Sequence, residues 1–522
     1  MNVYLIGIIF IGLFLRLFAL GAYPFWYDEA VTVLSSDLHF SLPRLSGLFD
    51  PMIHSLRQDH LFIYDMVFIQ YWKKLFGSSE CILRLSSVFL GVLGIYTMYR
   101  LARLMYNRGT GLVASLLLAL SPLHVYYSQE LRPYTALFCC STLGFYALYN
   151  IAVKGKNRYW IVYIIASVIC VYINYMMLLF FAASTVVMFE GLVNKRIHVK
   201  AFFISNISIA FFILPVVMVV AANMANGFFK PLDPGLTEFP VWAKYVGYKN
   251  LLFTLKNFSI GYNTEFFSAT GLFASLFLGF VFIRGIFKDV NRPRAYFNLI
   301  LLFLPVLTIF LFSKFVRVCY VDRYFLPSLA IYAAAISYGL NLMSRKLTLV
   351  SIVVMSMLSF AGLKSYYYDI LPRDYAQHIG IVHKNSHIDK LSKALSDNFE
   401  EGDRVYFTSK LLVYPAKFYV AKYGISAPGY MSGSSGVEHE VNEGKLLWID
   451  TTGGLKTVYF DKIWPRAKVI EPFQKDDIGR VWLLNFSGDD RHDIISRFDE
   501  SYIRRAGYDF STAELYLYSS GK

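Results

Sequence analysis

The chain has 522 residues, of which 56% are hydrophobic and only 16% charged. Soluble domains carry about 25% charged residues, so a soluble enzyme, a disordered chain and a nucleic-acid module are poor readings. An integral membrane protein is expected. The net charge of +14 divides unevenly: residues 1–371 hold 30 Lys and Arg against 15 Asp and Glu, and residues 372–522 hold 20 against 21. The basic excess belongs to the apolar part, where it reads as topology and contact with anionic membrane lipid. The balanced remainder reads as a soluble domain, and none of the five cysteines falls in it.

A spanning helix needs about 20 mostly apolar residues. In chain order the candidates are roughly 3–22, 82–101, 110–128, 134–153, 159–173, 176–193, 201–222, 267–287, 297–313, 325–343 and 347–365. The first, with no basic stretch ahead of it, is expected to be a retained helix and not a cleaved leader. The stretch 61–77 is apolar but broken by Asp65, Lys73 and Lys74, which suggests an interfacial or re-entrant helix. Alternate loops carry the basic clusters Arg100/Arg103/Arg108, Lys154/Lys156/Arg158, Lys195/Arg196/Lys200, Arg284/Lys288/Arg292/Arg294 and Arg345/Lys346. By the positive-inside rule these loops and the N-terminus are cytoplasmic. About eleven crossings then place the tail outside. The expected fold class is therefore an α-helical polytopic membrane protein with a C-terminal extracytoplasmic α/β domain, divided as 1–370 and 371–522.

Two outer loops are long, about 23–81 and 223–266, and loops of that length are usually functional. In the tail, 374–399 reads as an amphipathic helix. RVYFT, KLLWIDTTGG, KVIEPFQ, RVWLLNF and AELYLYS read as strands, and YPAKFYVAKYG as a helix ending in glycine. Mixed short strands and helices suggest a small α/β domain. It has no phosphate-cradling glycine loop followed by Lys-Ser/Thr.

The sharpest chemical signal is Trp26-Tyr27-Asp28-Glu29-Ala30, directly after the first helix. Carboxylates at a membrane surface are costly unless used or paired, and one so placed can act as a general base. The plain alternative is an aromatic belt followed by two solvated acids. The second signal is Ser128-Gln129-Glu130-Leu131-Arg132-Pro133-Tyr134, a short outer turn. Arginine there suits a phosphate or carboxylate, or a Glu130–Arg132 pair that seals the turn. The third is Lys314, Arg317, Asp322 and Arg323, cations on the outer side against the positive-inside trend. They fit an anionic headgroup, as part of a site or as ordinary lipid. Asp59 and His60 stand in the first outer loop. Glu29 and His60 are candidate ligands for a divalent metal cofactor. His124 reads as a packing residue.

WYDEA after the first helix resembles the catalytic Asp-Glu of the GT-C class of lipid-sugar-dependent glycosyltransferases. More narrowly it is similar to glycosyltransferase family 39, which holds protein O-mannosyltransferases and the aminoarabinose transferases of lipid A. Residues 78–137, ending SPLHVYYSQELRPYTAL, resemble that group, as does VDRYFLPSLA at 321–330. So does FEEGDRVYFTSKLLVYPAKFYVAKYG in the tail, against bacterial members. One departure is Gln58-Asp59-His60-Leu61-Phe62, where bacterial members often have Asp-x-His-Pro-Pro; both prolines are missing here.

The resemblance implies a GT-C fold in the cytoplasmic (inner) membrane and an inverting transferase. The donor would be a sugar on a polyprenyl phosphate and the acceptor a hydroxyl on a lipid, glycan or protein. Asp28 would be the base, and Glu29 would orient the acceptor or a metal. Arg132 and Arg323, then Lys314 and Arg317, would bind the donor phosphate. Trp26, Tyr27, Asp59, His60, Glu130 and Tyr134 would shape the site. A transporter or flippase of a lipid-linked sugar is the main alternative, though such proteins place charges nearer the bilayer midplane. A glycan polymerase or ligase is another.

Overall fold

Backbone groups in lipid must be paired within their own segment, so apolar runs fold as helices, and every segment expected to span is helical. The structure is a computed structural model that describes residues 3–36, 62–223, 246–262, 264–316, 319–368, 387–400, 403–407, 410–423, 446–448, 480–486, 492–510 and 513–519. Asp59, His60, Arg317 and the expected strand KVIEPFQ lie outside these residues.

Helix α1 is Val3–Leu17 and α2 is Tyr27–Ser36. A wide-turned π segment, Phe62–Ile69, runs into α3, Gln70–Phe76, where the sequence suggested an interfacial helix. There follow α4 (Glu80–Met105), α5 (Arg108–Leu120), α6 (Pro122–Ser128), α7 (Tyr134–Ala152), α8 (Trp160–Ile173), α9 (Met177–Val193) and α10 (Val199–Asn223). Next come α11 (Lys249–Ile260), α12 (Ala269–Phe287), α13 (Arg292–Phe315), α14 (Leu326–Asn341) and α15 (Arg345–Tyr367). Among the described residues six helices are long and apolar enough to cross a membrane, or seven if α5 and α6, bent by 61°, form one broken span. The remaining expected crossings fall on shorter helices such as α1, α8, α9 and α14, which is why length alone does not return eleven.

The chain divides into two compact units. The first comprises Met1–Leu20, Phe49–Tyr64 and Trp72–His378. Its helices start where the sequence offers caps: Ser79, Asn107, Ser121, Ser268, Asn291 and Ser344 each accept from a backbone N–H three residues on. The faces of α10 leave Phe203, Ile204, Ile207 and Phe211 exposed, as lipid-facing residues are. Helices α12 and α14 touch backbone to backbone. A Cβ on Gly285 would stand 2.0 Å from the Ala335 carbonyl oxygen, and one on Gly339 2.2 Å from that of Val281. Small residues permit that approach, the usual means of packing helices in lipid.

The second unit comprises Gly21–Leu48, Asp65–Tyr71 and Ile379–Lys522. Its sheet has strands β1 (Arg404–Phe407), β2 (Leu446–Trp448), β3 (Arg480–Phe486), β4 (Ile503–Asp509) and β5 (Ala513–Ser519) in the order β2-β1-β3-β5-β4. β1 runs parallel to β2 and β3, and β5 antiparallel to β3 and β4. Val481–Asn485 of the central β3 are all buried, as a strand covered on both faces requires. Val481 and Leu483 pack with Phe498, Tyr502 and Tyr518, while Trp482 Nε1 donates to Asp403 at 2.7 Å. Around the sheet lie α16 (Ile388–Asn398), α17 (Lys410–Lys422) and α18 (His492–Ser501). β4, at the sheet edge, is mostly exposed and lacks alternating apolar residues. That is why it escapes a pattern reading.

Candidate active site

The acid pair lies in the second unit. The Ala30 N–H donates to the Trp26 carbonyl at 2.9 Å, so the helix begins there and Asp28 and Glu29 occupy its first turn. Negative charge is favoured at that end by the helix dipole, by about 0.3–1 kcal/mol. Burial separates the two acids. Glu29 is 0% exposed, whereas Asp28 is only partly buried and can meet a ligand. Trp26 is buried. Tyr27 packs edge-on against Tyr414 at 5.2 Å, and Phe25 against Phe418 at 5.1 Å. Burial lifts the Tyr414 phenol to about 12, so it stays neutral at this contact.

The arginines lie in the first unit. Arg132, in the turn after α6, holds its guanidinium 5.9 Å from the centre of the Tyr134 ring. Arg323, in a short 3-10 turn (Asp322–Phe325), holds its own 5.9 Å from the same centre. Two cations far apart in sequence thus meet on one ring, a favourable use of its electron-rich face. The ring stands edge-on to Tyr127 at 4.7 Å. The Tyr127 hydroxyl pairs with Tyr262 at 2.8 Å and feels the charges of Arg323 and Glu130. Glu130 is 1% exposed and lies beside Tyr126. The result is an anion-attracting patch with one acid beside it, walled by tyrosines.

Two buried networks hold this patch. Arg16, at 0% exposure, donates to Gly12 O (2.8 Å), Ala119 O (3.1 Å), Leu118 O (3.2 Å), Ser128 Oγ (3.1 Å) and His124 Nδ1 (2.8 Å). It therefore satisfies carbonyls freed where α5 breaks at Ser121-Pro122. Gln129 Nε2 donates to the carbonyls of Arg16 at 3.0 Å and Phe18 at 2.6 Å, and Tyr366 donates to Gln129 Oε1 at 2.7 Å. The turn bearing Glu130 and Arg132 is thereby tied to α1 and α15. In the second network Asp322, 3% exposed, accepts from Thr254 and Asn257 of α11, and Thr254 Oγ1 pairs with the Tyr320 hydroxyl at 2.6 Å. Burial raises the Asp322 carboxyl above its ordinary value, and the Thr254 and Asn257 bonds oppose the rise. Burial likewise raises the Tyr262 phenol, keeping it neutral.

Of the residues singled out from sequence, Arg132, Arg323, Glu130 and Tyr134 come together. Trp26, Tyr27, Asp28 and Glu29 form a second group in the other unit. Lys314, at the end of α13, holds its ammonium 3.7 Å from the centre of the Tyr248 ring instead. Arg317, Asp59 and His60 lie outside the described residues. Among the described residues no three His, Cys, Asp or Glu side chains could hold one metal ion. His124 is a packing residue that accepts from Arg16. The sequence reading missed Arg16, Thr254, Asn257 and Tyr262. A lone arginine within an apolar helix, and polar residues within the second long outer loop, were the available signals.

Residues 66–220, a stretch that includes Glu130, Arg132 and Tyr134, match the family model of dolichyl-phosphate-mannose-protein mannosyltransferases. No curated protein matches the chain by sequence. The structure is similar to that of ArnT from Cupriavidus metallidurans bound to undecaprenyl phosphate, with TM-score 0.58 and 11% identity over 98% of this chain and 97% of that one. It is also similar to the apo state of that protein, with TM-score 0.53 and 11% identity over 94% and 95%. At that identity the likeness is one of fold. By this family match over part of the chain and by this fold, the chain is a multi-pass membrane protein with a GT-C-type fold.

Proposed function

We propose that the protein is an inverting glycosyltransferase that moves a sugar from a polyprenyl-phosphate donor to a hydroxyl acceptor at the outer face of the cytoplasmic membrane. The observation that carries this reading is the pair Arg132 and Arg323 on one tyrosine ring, in a chain that shares its fold with a protein seen bound to undecaprenyl phosphate. In the proposed reaction the acceptor oxygen attacks the anomeric carbon as the bond to the phosphate oxygen breaks. The electron pair leaves with the lipid phosphate, which gains one negative charge. The acceptor proton passes to the Asp28 carboxylate, which is partly exposed and so able to receive it. Glu29, fully buried, orients the acid helix. Arg132 and Arg323 stabilise the charge growing on the leaving phosphate, the kind of interaction that lowers a barrier most. The N-terminus and the basic loops are cytoplasmic and the tail extracytoplasmic, in keeping with the charge of the loops.

The test is transfer of labelled sugar from a panel of polyprenyl-phosphate donors by the purified protein, with membrane extract supplying acceptors. Loss of a general base costs about two to four orders of magnitude, so Asp28→Asn should lose at least a hundredfold. Full activity in Asp28→Asn would remove Asp28 from the mechanism.

A further inference from the structure

We infer that helix α17 of the tail positions the acid pair, and that Tyr419 is a positioning residue for Asp28. This rests on the reading of Asp28 as the base. Phe25 is 0% exposed and precedes α2, so its N–H has no place in the helical ladder and needs a partner on burial. It donates to the Tyr419 hydroxyl at 2.7 Å, and Tyr419 is itself 1% exposed. The bond joins two stretches almost four hundred residues apart in the chain.

Aromatic contacts fix the same spot from both sides. Tyr414 and Phe418 are one helical turn apart on α17, hence neighbours on one face. They meet Tyr27 and Phe25, which flank Trp26. Phe418 also packs on Tyr419, with ring centres 5.0 Å apart. Asp28 follows within the first turn of α2, so the helix carries its carboxylate as a rigid extension of the anchored peptide. Nothing in the tail need touch the substrate for the tail to matter: its helix sets where the base stands. Small displacements of a reacting group are costly, since about 1 Å can lower a rate a hundredfold.

Tyr419→Phe removes the hydroxyl and keeps the ring. The full-length protein, purified in lipid nanodiscs, is studied by hydrogen exchange and by transfer kinetics beside Asp28→Asn. Exchange in peptides covering residues 25–36 should speed up by about fivefold, the scale of one hydrogen bond, with strand β5 unchanged. The value of kcat should fall by about tenfold or more, with KM for the lipid donor within twofold. A merely structural role would alter neither kcat nor this split. Unchanged exchange in 25–36 overturns the inference, whatever the rate does. Faster exchange with an unchanged kcat overturns it too, since the contact would then be packing alone. If Tyr419→Phe does not fold, Phe418→Leu, which removes the edge contact with Phe25, is read by the same criteria. Full activity in Asp28→Asn would instead defeat the assignment of the base, a separate result that the exchange data do not share.

Discussion

Removal of Arg132 and Arg323 singly and together is the most informative perturbation of the first unit. Each guanidinium stands 5.9 Å from the centre of the Tyr134 ring, so the two charges are no more than about 12 Å apart. With an effective dielectric constant near 20, two like charges at that distance repel by about 1.4 kcal/mol. A bound phosphate between them converts the repulsion into two attractions, each a charge-assisted hydrogen bond worth about 1.5–3 kcal/mol. Arg132→Ala or Arg323→Ala should therefore lower kcat/KM by about 10- to 150-fold. Most of the loss should fall in kcat, because the leaving phosphate carries more charge than the bound donor. The double variant should lose less than the product of the single losses, since the first removal also relieves the mutual repulsion. The assay is sugar transfer at varied donor concentration, with a thermal melt of each variant as control for folding. Single losses under threefold, or strictly multiplicative losses, would refute a shared phosphate.

Three further outcomes are expected. Arg16→Met leaves buried acceptors at Leu118, Ala119, Ser128 and His124 without their donor. It should destabilise the protein by about 3 kcal/mol or more, seen as a lower melting temperature, whereas an unchanged melt would show the network to be dispensable. Gly339→Ala would press a methyl against the Val281 carbonyl, now 2.2 Å from the position a Cβ would take. A cost of about 1–3 kcal/mol in detergent melts is expected, and a neutral result would contradict the close crossing of α12 and α14. The Asp322 carboxyl is raised above its ordinary 3.8 by burial, so between 3.8 and its folded value the native state binds the proton more tightly than the unfolded chain. Its contribution to stability is complete below about 3.8 and is lost as pH rises through the folded value. The melting temperature of wild type minus that of Asp322→Asn should therefore fall as pH rises above 4, and a flat or rising difference would refute the assignment.

Much of this architecture is legible in the sequence, and the reasons are local. Runs such as 82–101 and 347–365 have one stable conformation in lipid, and Ser79, Ser268 and Ser344 mark helix starts by a side chain that reaches the next turn. Trp26 to Glu29 stood out because acids beside a membrane need a reason. Other features depend on what the chain meets far away. The union of Arg132 with Arg323 needs the fold to bring two turns onto Tyr134. The hydrogen bond from Phe25 to Tyr419 is invisible in either segment alone. Arg16 reads as a charge near a helix end, yet its role comes from carbonyls released at a break in another helix. Strand β4 is set by pairing with β5, with a bulge between Arg504 and Ala506, and not by its own alternation.

The same distinction governs function. Composition and charge lead to a membrane protein, the resemblance carried by WYDEA and residues 78–137 leads on to a transferase, and the family model over residues 66–220 agrees with that resemblance. None of these names the sugar or the acceptor, because specificity lies in the shape of a pocket and not in residue types that a motif records. The most direct test of the central claim is therefore a balance sheet for the donor. Purified protein in sealed liposomes is given a polyprenyl-phosphate sugar labelled in both lipid and sugar, together with native membrane acceptors. The account predicts one free polyprenyl phosphate released for each sugar incorporated, with both signals lost in Asp28→Asn. Movement of intact donor across the bilayer, with no release of lipid phosphate, would contradict it and mark the protein as a transporter.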